Sequence, residues 1–221
     1  MHKNLLSRPT VVYMYGLPGS GKTFVARQLS EALGIAHING DRIRNELFDD
    51  PKHDKAEYQI ITHLMDLMTE QFLSVGVSVI YDISVSRLAD RRLLKDTANR
   101  YKANELMVWL QIDPDTAWQR TQSRDKRKAD DKYSSEMTQE IFERYMRMMQ
   151  NPQNENYLVL SGKHLFNSQK SALIRRLREM GSITDESMDQ KIAKPQLVNL
   201  VSRAQTQAGR VDYSRRNVII R

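Results

Sequence analysis

The chain has no cysteine among its 221 residues. That excludes disulfides, cysteine-bearing zinc sites and thiol catalysis. Histidine is sparse too: His2, His37, His53, His63 and His164 are scattered without a ligand-like pair. There is no internal repeat, no low-complexity tract and no uncharged run long enough to cross a bilayer. The first residues are weakly signal-like, but their apolar stretch runs into a glycine-rich turn rather than a cleavage site, so a cytoplasmic location is expected. What is present is a globular balance, 40% hydrophobic and 28% charged, enough to bury one ordinary core with room for an appendage.

The formal net charge is +7, and two segments hold the surplus. Arg120–Lys132 carries six bases against three acids, and Arg203–Arg221 carries five against Asp212 alone. Something anionic is expected to meet these two segments.

Short apolar runs alternate with helical patterns. Strands are predicted at Val11–Tyr15, Ala36–Asn39, Val77–Tyr81, Leu106–Ile112 and Tyr157–Leu160. Helices are predicted at Lys22–Leu33, Arg42–Phe48, Lys55–Leu73, Arg87–Tyr101, Thr116–Ser123, Ser135–Met149 and Gln169–Met180. Such alternation gives an α/β fold, a five-stranded parallel sheet with helices on both faces. After Gly181 the texture changes. Ser182–Asp189 reads as a polar linker, Gln196–Gln207 as one helix after Pro195, and Val218–Ile220 as a short strand. The expected division is a main domain over 1–181 and a small basic C-terminal extension over 182–221.

Gly16-Leu17-Pro18-Gly19-Ser20-Gly21-Lys22-Thr23 fits G-x-x-x-x-G-K-[ST], between a predicted strand and a predicted helix. Glycines let the backbone curl so that N–H groups of Gly16, Gly19, Ser20, Gly21 and their neighbours point inward at phosphate oxygens. The following helix adds its positive end. Lys22 is expected to neutralise the β/γ-phosphates and Thr23 to ligate Mg²⁺. Bound ATP and Mg²⁺ are the implied cofactors.

Asp41 and Arg44 follow the second strand in Ile38-Asn39-Gly40-Asp41-Arg42-Ile43-Arg44. Carboxyl ends of parallel strands face the ligand crevice, so Asp41 is expected on the same rim as the phosphate loop. A carboxylate there can take a proton from an attacking hydroxyl or help hold the metal's water shell, and Arg44 can grip an anionic acceptor group. The competing role for Asp41 is to cap the helix at Arg42–Phe48. The third strand ends in Asp82, placed like a metal-binding carboxylate. Its competing role is an Asx turn. Arg120 and Arg124, four apart on an expected helix, fall on one face, where they can clamp phosphates or simply form a solvated basic surface.

These residues, in this order from about Val11 to Pro152, resemble the P-loop kinases grouped with polynucleotide 5′-hydroxyl kinase. The resemblance implies that Asp41 is the general base, that Arg44 contacts the acceptor's phosphate, and that Arg120 and Arg124 are lid arginines. Arg87, Arg91 and Arg92 are weaker candidates for acceptor contact. Zeta-toxin-like sugar-nucleotide kinases, adenylylsulfate kinase and antibiotic phosphotransferases share the layout, so the motifs name "kinase" more firmly than they name the acceptor. After Asp82 this chain carries Ile83 and Ser84 where the group has a small residue and Thr, which puts the acceptor-side loop in question.

No Glu adjoins Asp82 to activate water, and no N/T-K-x-D or D-x-x-G motif points to guanine. The expected function is transfer of the γ-phosphate of ATP to an acceptor hydroxyl, first a nucleic-acid 5′-hydroxyl. The alternatives are a small-molecule kinase or an ATP-binding adaptor. Gly209–Arg221, with four arginines and Tyr213, is expected to help bind an acidic partner such as RNA or DNA, unless Val218–Ile220 packs on the sheet and the arginines stay in water.

Overall fold

The computed structural model describes residues 6–129 and 131–183. The expected helix at Gln196–Gln207, the strand at Val218–Ile220, the basic Gly209–Arg221 segment and the linker beyond residue 183 lie outside the described residues.

Five strands form one parallel sheet in the order β2-β3-β1-β4-β5: β1 (Thr10–Tyr15), β2 (Ala36–Asn39), β3 (Val79–Asp82), β4 (Asn104–Gln111) and β5 (Tyr157–Ser161). The Thr-Val-Val-Tyr-Met-Tyr run of β1 is buried on both faces, which suits a central strand. Alternation along it feeds two cores. Val12 and Met14 join Val25, Leu29 and Leu33 of α1 (Lys22–Leu33) and Leu173 and Leu177 of α7 (Phe166–Glu179). Val11, Tyr13 and Tyr15 join Ile61, Met65 and Leu73 of α3 (Lys55–Ser74) and Leu94 and Ala98 of α4 (Leu88–Arg100). Period-two alternation on a sheet covered on both sides accounts for this division.

Three short helices complete the frame: α2 (Gly40–Leu47), α5 (Pro114–Gln122) and α6 (Gln139–Met148). All three differ from the expected bounds, α2 beginning at Gly40 rather than Arg42 because Asn39 caps it. Helix α5 starts earlier, at Pro114 after the Asp113 cap, and its last helical residue is Gln122, with Ser123 as its C-cap, because beyond the buried Thr121 the chain offers only polar and charged residues to the next turn. Arg124 is therefore not on a helix with Arg120. Helix α6 starts at Thr138, whose hydroxyl accepts from the Ile141 N–H (3.3 Å), rather than at Ser135. Residues 123–129 and 131–138 thus lie outside helices and strands, over the cleft at the carboxyl ends of the strands.

At the opposite end of the sheet the chain stays packed past Gly181. Ser182 and Ile183 are buried, with Ser182 O accepting from Ser7 N–H (2.8 Å) and Ile183 in the α1–α7 core.

Candidate active site

The phosphate loop leaves β1 at Gly16 (φ 144°) and turns at Gly19 (φ 81°) and Gly21 (φ 96°). A Cβ on Gly16 would lie 2.6 Å from Leu110 O, and one on Gly19 would lie 2.2 Å from Ala117 O. Glycine is needed there twice over, for the dihedral and for close approach to β4 and α5. Gly21 serves as the N-cap of α1, with open space around its Cα. Lys22 opens that helix, and its ammonium donates to Gly16 O (3.0 Å) and Leu17 O (2.8 Å), folded against the loop.

Asp82 ends β3 and is almost fully buried. It is not held by an Asx turn. Its Oδ1 faces the Thr23 hydroxyl (3.4 Å), while Oδ2 accepts from Asn39 Nδ2 (2.7 Å) and pairs with His37 Nε2 (2.9 Å). The register sets Asn39 beside Asp82 across β2 and β3. Neither His37 nor Asn39 stands out in the sequence. Only strand pairing reveals that both face the carboxylate.

Helix α2 is capped by Asn39, whose Oδ1 accepts from Arg42 N–H (2.7 Å). Asp41 is therefore free of the capping role, and its side chain, 46% exposed, lies in the wall of the cleft. Arg44 Nη1 donates to Asp41 Oδ1 (2.7 Å). The protein wall around Asp41 raises its carboxyl above the ordinary value, with Asp82 adding to this. Arg44, His53 and Arg124 oppose it. Burial lowers the Lys22 ammonium to about 8, against the pull of Asp82 and Asp41 and with reinforcement from Arg124.

Arg120 leaves α5 and donates through Nη1 to Gly162 O (2.8 Å). Arg124, just after α5, donates to Ser135 O (3.1 Å). Different backbone carbonyls, and no shared helix face, bring the two arginines to one place. A single cleft of about 700 Å³ is lined by Pro18 through Thr23, Asp41, Arg44, Asp82, Arg120 and Arg124. Gly16 does not line it and acts at the root of the loop. Tyr58, Tyr133 and Tyr145 line it as well, and no sequence pattern marked them.

The second arginine group behaves differently. Arg91 is buried and forms a two-point ion pair with Glu155 (2.7 and 2.9 Å), donates to Val85 O and Ser86 O, and lies over the Tyr15 ring at 5.2 Å. Arg91 is a core residue and does not line the cleft. Arg87 and Arg92 are exposed on α4 and do not line it either. Ser84 Oγ donates to Gly16 O (3.3 Å), so the unusual residue after Ile83 supports the phosphate loop.

The oxygen donors suit a small hard cation. Thr23 and Asp82 offer a hydroxyl and a carboxylate side by side, leaving phosphate and water to complete an octahedron, as Mg²⁺ requires. Among the described residues, no group of three or more His, Asp or Glu could hold a metal on its own. No helix among them is long and apolar enough to cross a membrane.

An AAA domain family model matches residues 11–152. Solved structures with the same fold include a gluconokinase from Sinorhizobium meliloti (TM-score 0.60, 15% identity, covering 86% of this chain and 99% of that one). Others are the APS kinase CysC of Mycobacterium tuberculosis in complex with AMPPNP and APS (0.59, 20%, 77% and 98%) and Kti12 of Chaetomium thermophilum in complex with ADP-AlF3 (0.62, 16%, 79% and 99%). No curated protein sequence matches the chain. These likenesses establish a P-loop kinase-like fold and do not single out the polynucleotide 5′-hydroxyl kinase group that the motifs resemble.

Proposed function

This chain belongs to the AAA domain family, and from that premise we propose that it is an ATP- and Mg²⁺-dependent phosphotransferase acting on an acceptor hydroxyl, first a nucleic-acid 5′-hydroxyl. The observation that carries the reading is the shared cleft: the phosphate loop and the Asp41 carboxylate, released from helix capping by Asn39, line the same cavity.

In this reading Asp41 takes the proton from the acceptor hydroxyl as its oxygen forms a bond to the γ-phosphorus and the bond to the β–γ bridging oxygen breaks, releasing ADP. The loop amides and Lys22 hold the phosphates. Thr23 and Asp82 would hold Mg²⁺, which when bound neutralises developing phosphate charge. Arg120 and Arg124 balance charge on the transferred group and help exclude water. Arg44 orients the acceptor.

A polyanionic acceptor is supported by the excess of cations at the rim. Arg42 and Lys128 also line the cleft, beyond what a triphosphate and its metal demand. The test is transfer of labelled phosphate from ATP onto 5′-hydroxyl oligonucleotides, nucleosides, gluconate and adenylylsulfate. Label on an oligonucleotide 5′ end is the expected result. Label only on a small molecule would move the acceptor class, and acceptor-independent phosphate release would defeat the kinase reading.

A further inference from the structure

Glu57 lies outside every motif, yet it is buried at the first turn of α3. Asp54 caps that helix, its Oδ1 accepting from Glu57 N–H (2.9 Å). The Glu57 carboxylate reaches back past the cap. Its Oε1 accepts from Lys52 N–H (2.5 Å) and its Oε2 from His53 N–H (2.8 Å), where His53 has a left-handed backbone (φ 53°). Two backbone donors fix this carboxylate, so it cannot swing as a surface glutamate does.

Facing it is Arg44 of α2. The Arg44 side chain is 7% exposed, its Nε lies 3.7 Å from Glu57 Oε2, and its Nη1 bonds Asp41. Arg44 Nε is buried without a hydrogen bond. The guanidinium is thus stretched between two carboxylates on two elements, one in the cleft and one behind it.

We infer that Glu57 is a positioning residue for the reaction: as a fixed anionic post it turns the Arg44 Nε side toward the back wall of the acceptor end, so that Arg44 meets Asp41 through Nη1 alone and its charge is shared between two carboxylates. This rests on the kinase reading for its meaning, though not for its physics. An Asp41 fully engaged by Arg44 is a weaker base, and an Arg44 fully engaged by Asp41 has fewer N–H groups for an acceptor. The titratable and charged groups facing Asp41 are Arg44 on α2, Asp82 on β3, Lys22 at the start of α1, His53 in the 48–54 loop and Arg124 just after α5. The Tyr145 phenol approaches from α6. Glu57 touches two members of this set, Arg44 at Nε and His53 at its backbone N–H, and we assign its effect on Asp41 to Arg44.

The test is a carboxyl ¹³C NMR titration of Asp41, assigned by its loss in Asp41→Asn. In Glu57→Gln the Asp41 midpoint should fall by about half a pH unit or more, since Arg44 then serves one carboxylate. Acceptor KM should rise by about tenfold, with KM for ATP unchanged. In an Arg44→Gln background the same Glu57 substitution should move the midpoint no further. An unmoved midpoint, or an equal shift with Arg44 already removed, overturns the inference. A measurement that keeps Glu57 guards against misfolding of the variant. In Asp41→Asn the Arg44 Nε–H resonance should stay sharp, because the post still holds it, and a resonance averaged to that of a free guanidinium overturns the inference. Absence of transfer by the wild-type protein defeats the kinase reading separately and leaves the Asp41 titration to decide on Glu57.

Discussion

A carboxylate can act as a general base only when ionised, so the raised pKa of Asp41 sets an acid limit on transfer. Activity is lost as pH falls through that pKa, which places the acid limb of kcat/KM above the ordinary aspartate value. Lys22 sets the other limb. Free Lys22 loses its proton near pH 8, and phosphates bind the charged form. Affinity for ATP should therefore be full below about pH 8 and weaken above it by up to about tenfold per pH unit. A bell-shaped kcat/KM is expected, whereas kcat, measured with phosphates already bound to Lys22, should lack the alkaline limb. Asp41→Asn should lower kcat by about 10²–10⁴ while isothermal titration finds ATP affinity nearly intact. Retained turnover would remove the base. The role of Asp41 rests on its being released from capping, and that depends on Asn39 two residues earlier.

At the scale of elements, the phosphate loop is held by what surrounds it as much as by its own glycines. Gly19 and Gly21 share a left-handed backbone but differ in surroundings. Alanine at Gly21 meets only dihedral strain, about 1–2 kcal/mol. Alanine at Gly19 meets that strain and the Ala117 carbonyl of α5 at 2.2 Å, so loop or helix must move. Nucleotide titration should show Gly19→Ala losing roughly tenfold or more of affinity beyond what Gly21→Ala loses. Equal losses would mean that the α5 contact does not shape the loop. The motif marked both glycines alike. The difference belongs to the packing of α5.

At the scale of the molecule, Arg91 and Glu155 tie α4 to the segment entering β5 beneath the sheet. Removing one charge of a buried pair strands the other. Glu155→Leu is expected to cost about 3–5 kcal/mol and to lower Tm by roughly 10 °C in a thermal scan. Arg91→Met together with Glu155→Leu should regain most of the loss, and a single variant as stable as wild type would show that the pair is dispensable. The basic segment Gly209–Arg221 is a separate matter. We propose that it adds to binding of an acidic acceptor. Compared with a chain ending at Ile183, which keeps the buried Ser182 and Ile183, the full chain should bind oligonucleotides more tightly, with a steeper loss on adding salt. Equal affinity and equal salt slope would dismiss the segment.

The strand and helix order was legible in the sequence because apolar period and glycine punctuation are local properties. So was the phosphate loop, since Gly16 to Thr23 form one contiguous cradle. The carboxylates Asp41 and Asp82 were legible as strand-end positions, because a parallel sheet brings all its carboxyl ends to one rim. What lay beyond reach was every relation between distant segments. His37 and Asn39 meet Asp82 only through the pairing of β2 with β3. Arg120 and Arg124 converge on the cleft through carbonyls 42 and 11 residues away. Arg91 looks like its exposed neighbours Arg87 and Arg92 until the fold buries it against Glu155. A sequence determines which groups are available and which local shapes they favour. Burial, pairing and the sharing of Arg44 between Asp41 and Glu57 are set by distances that exist only once the helices have docked on the sheet.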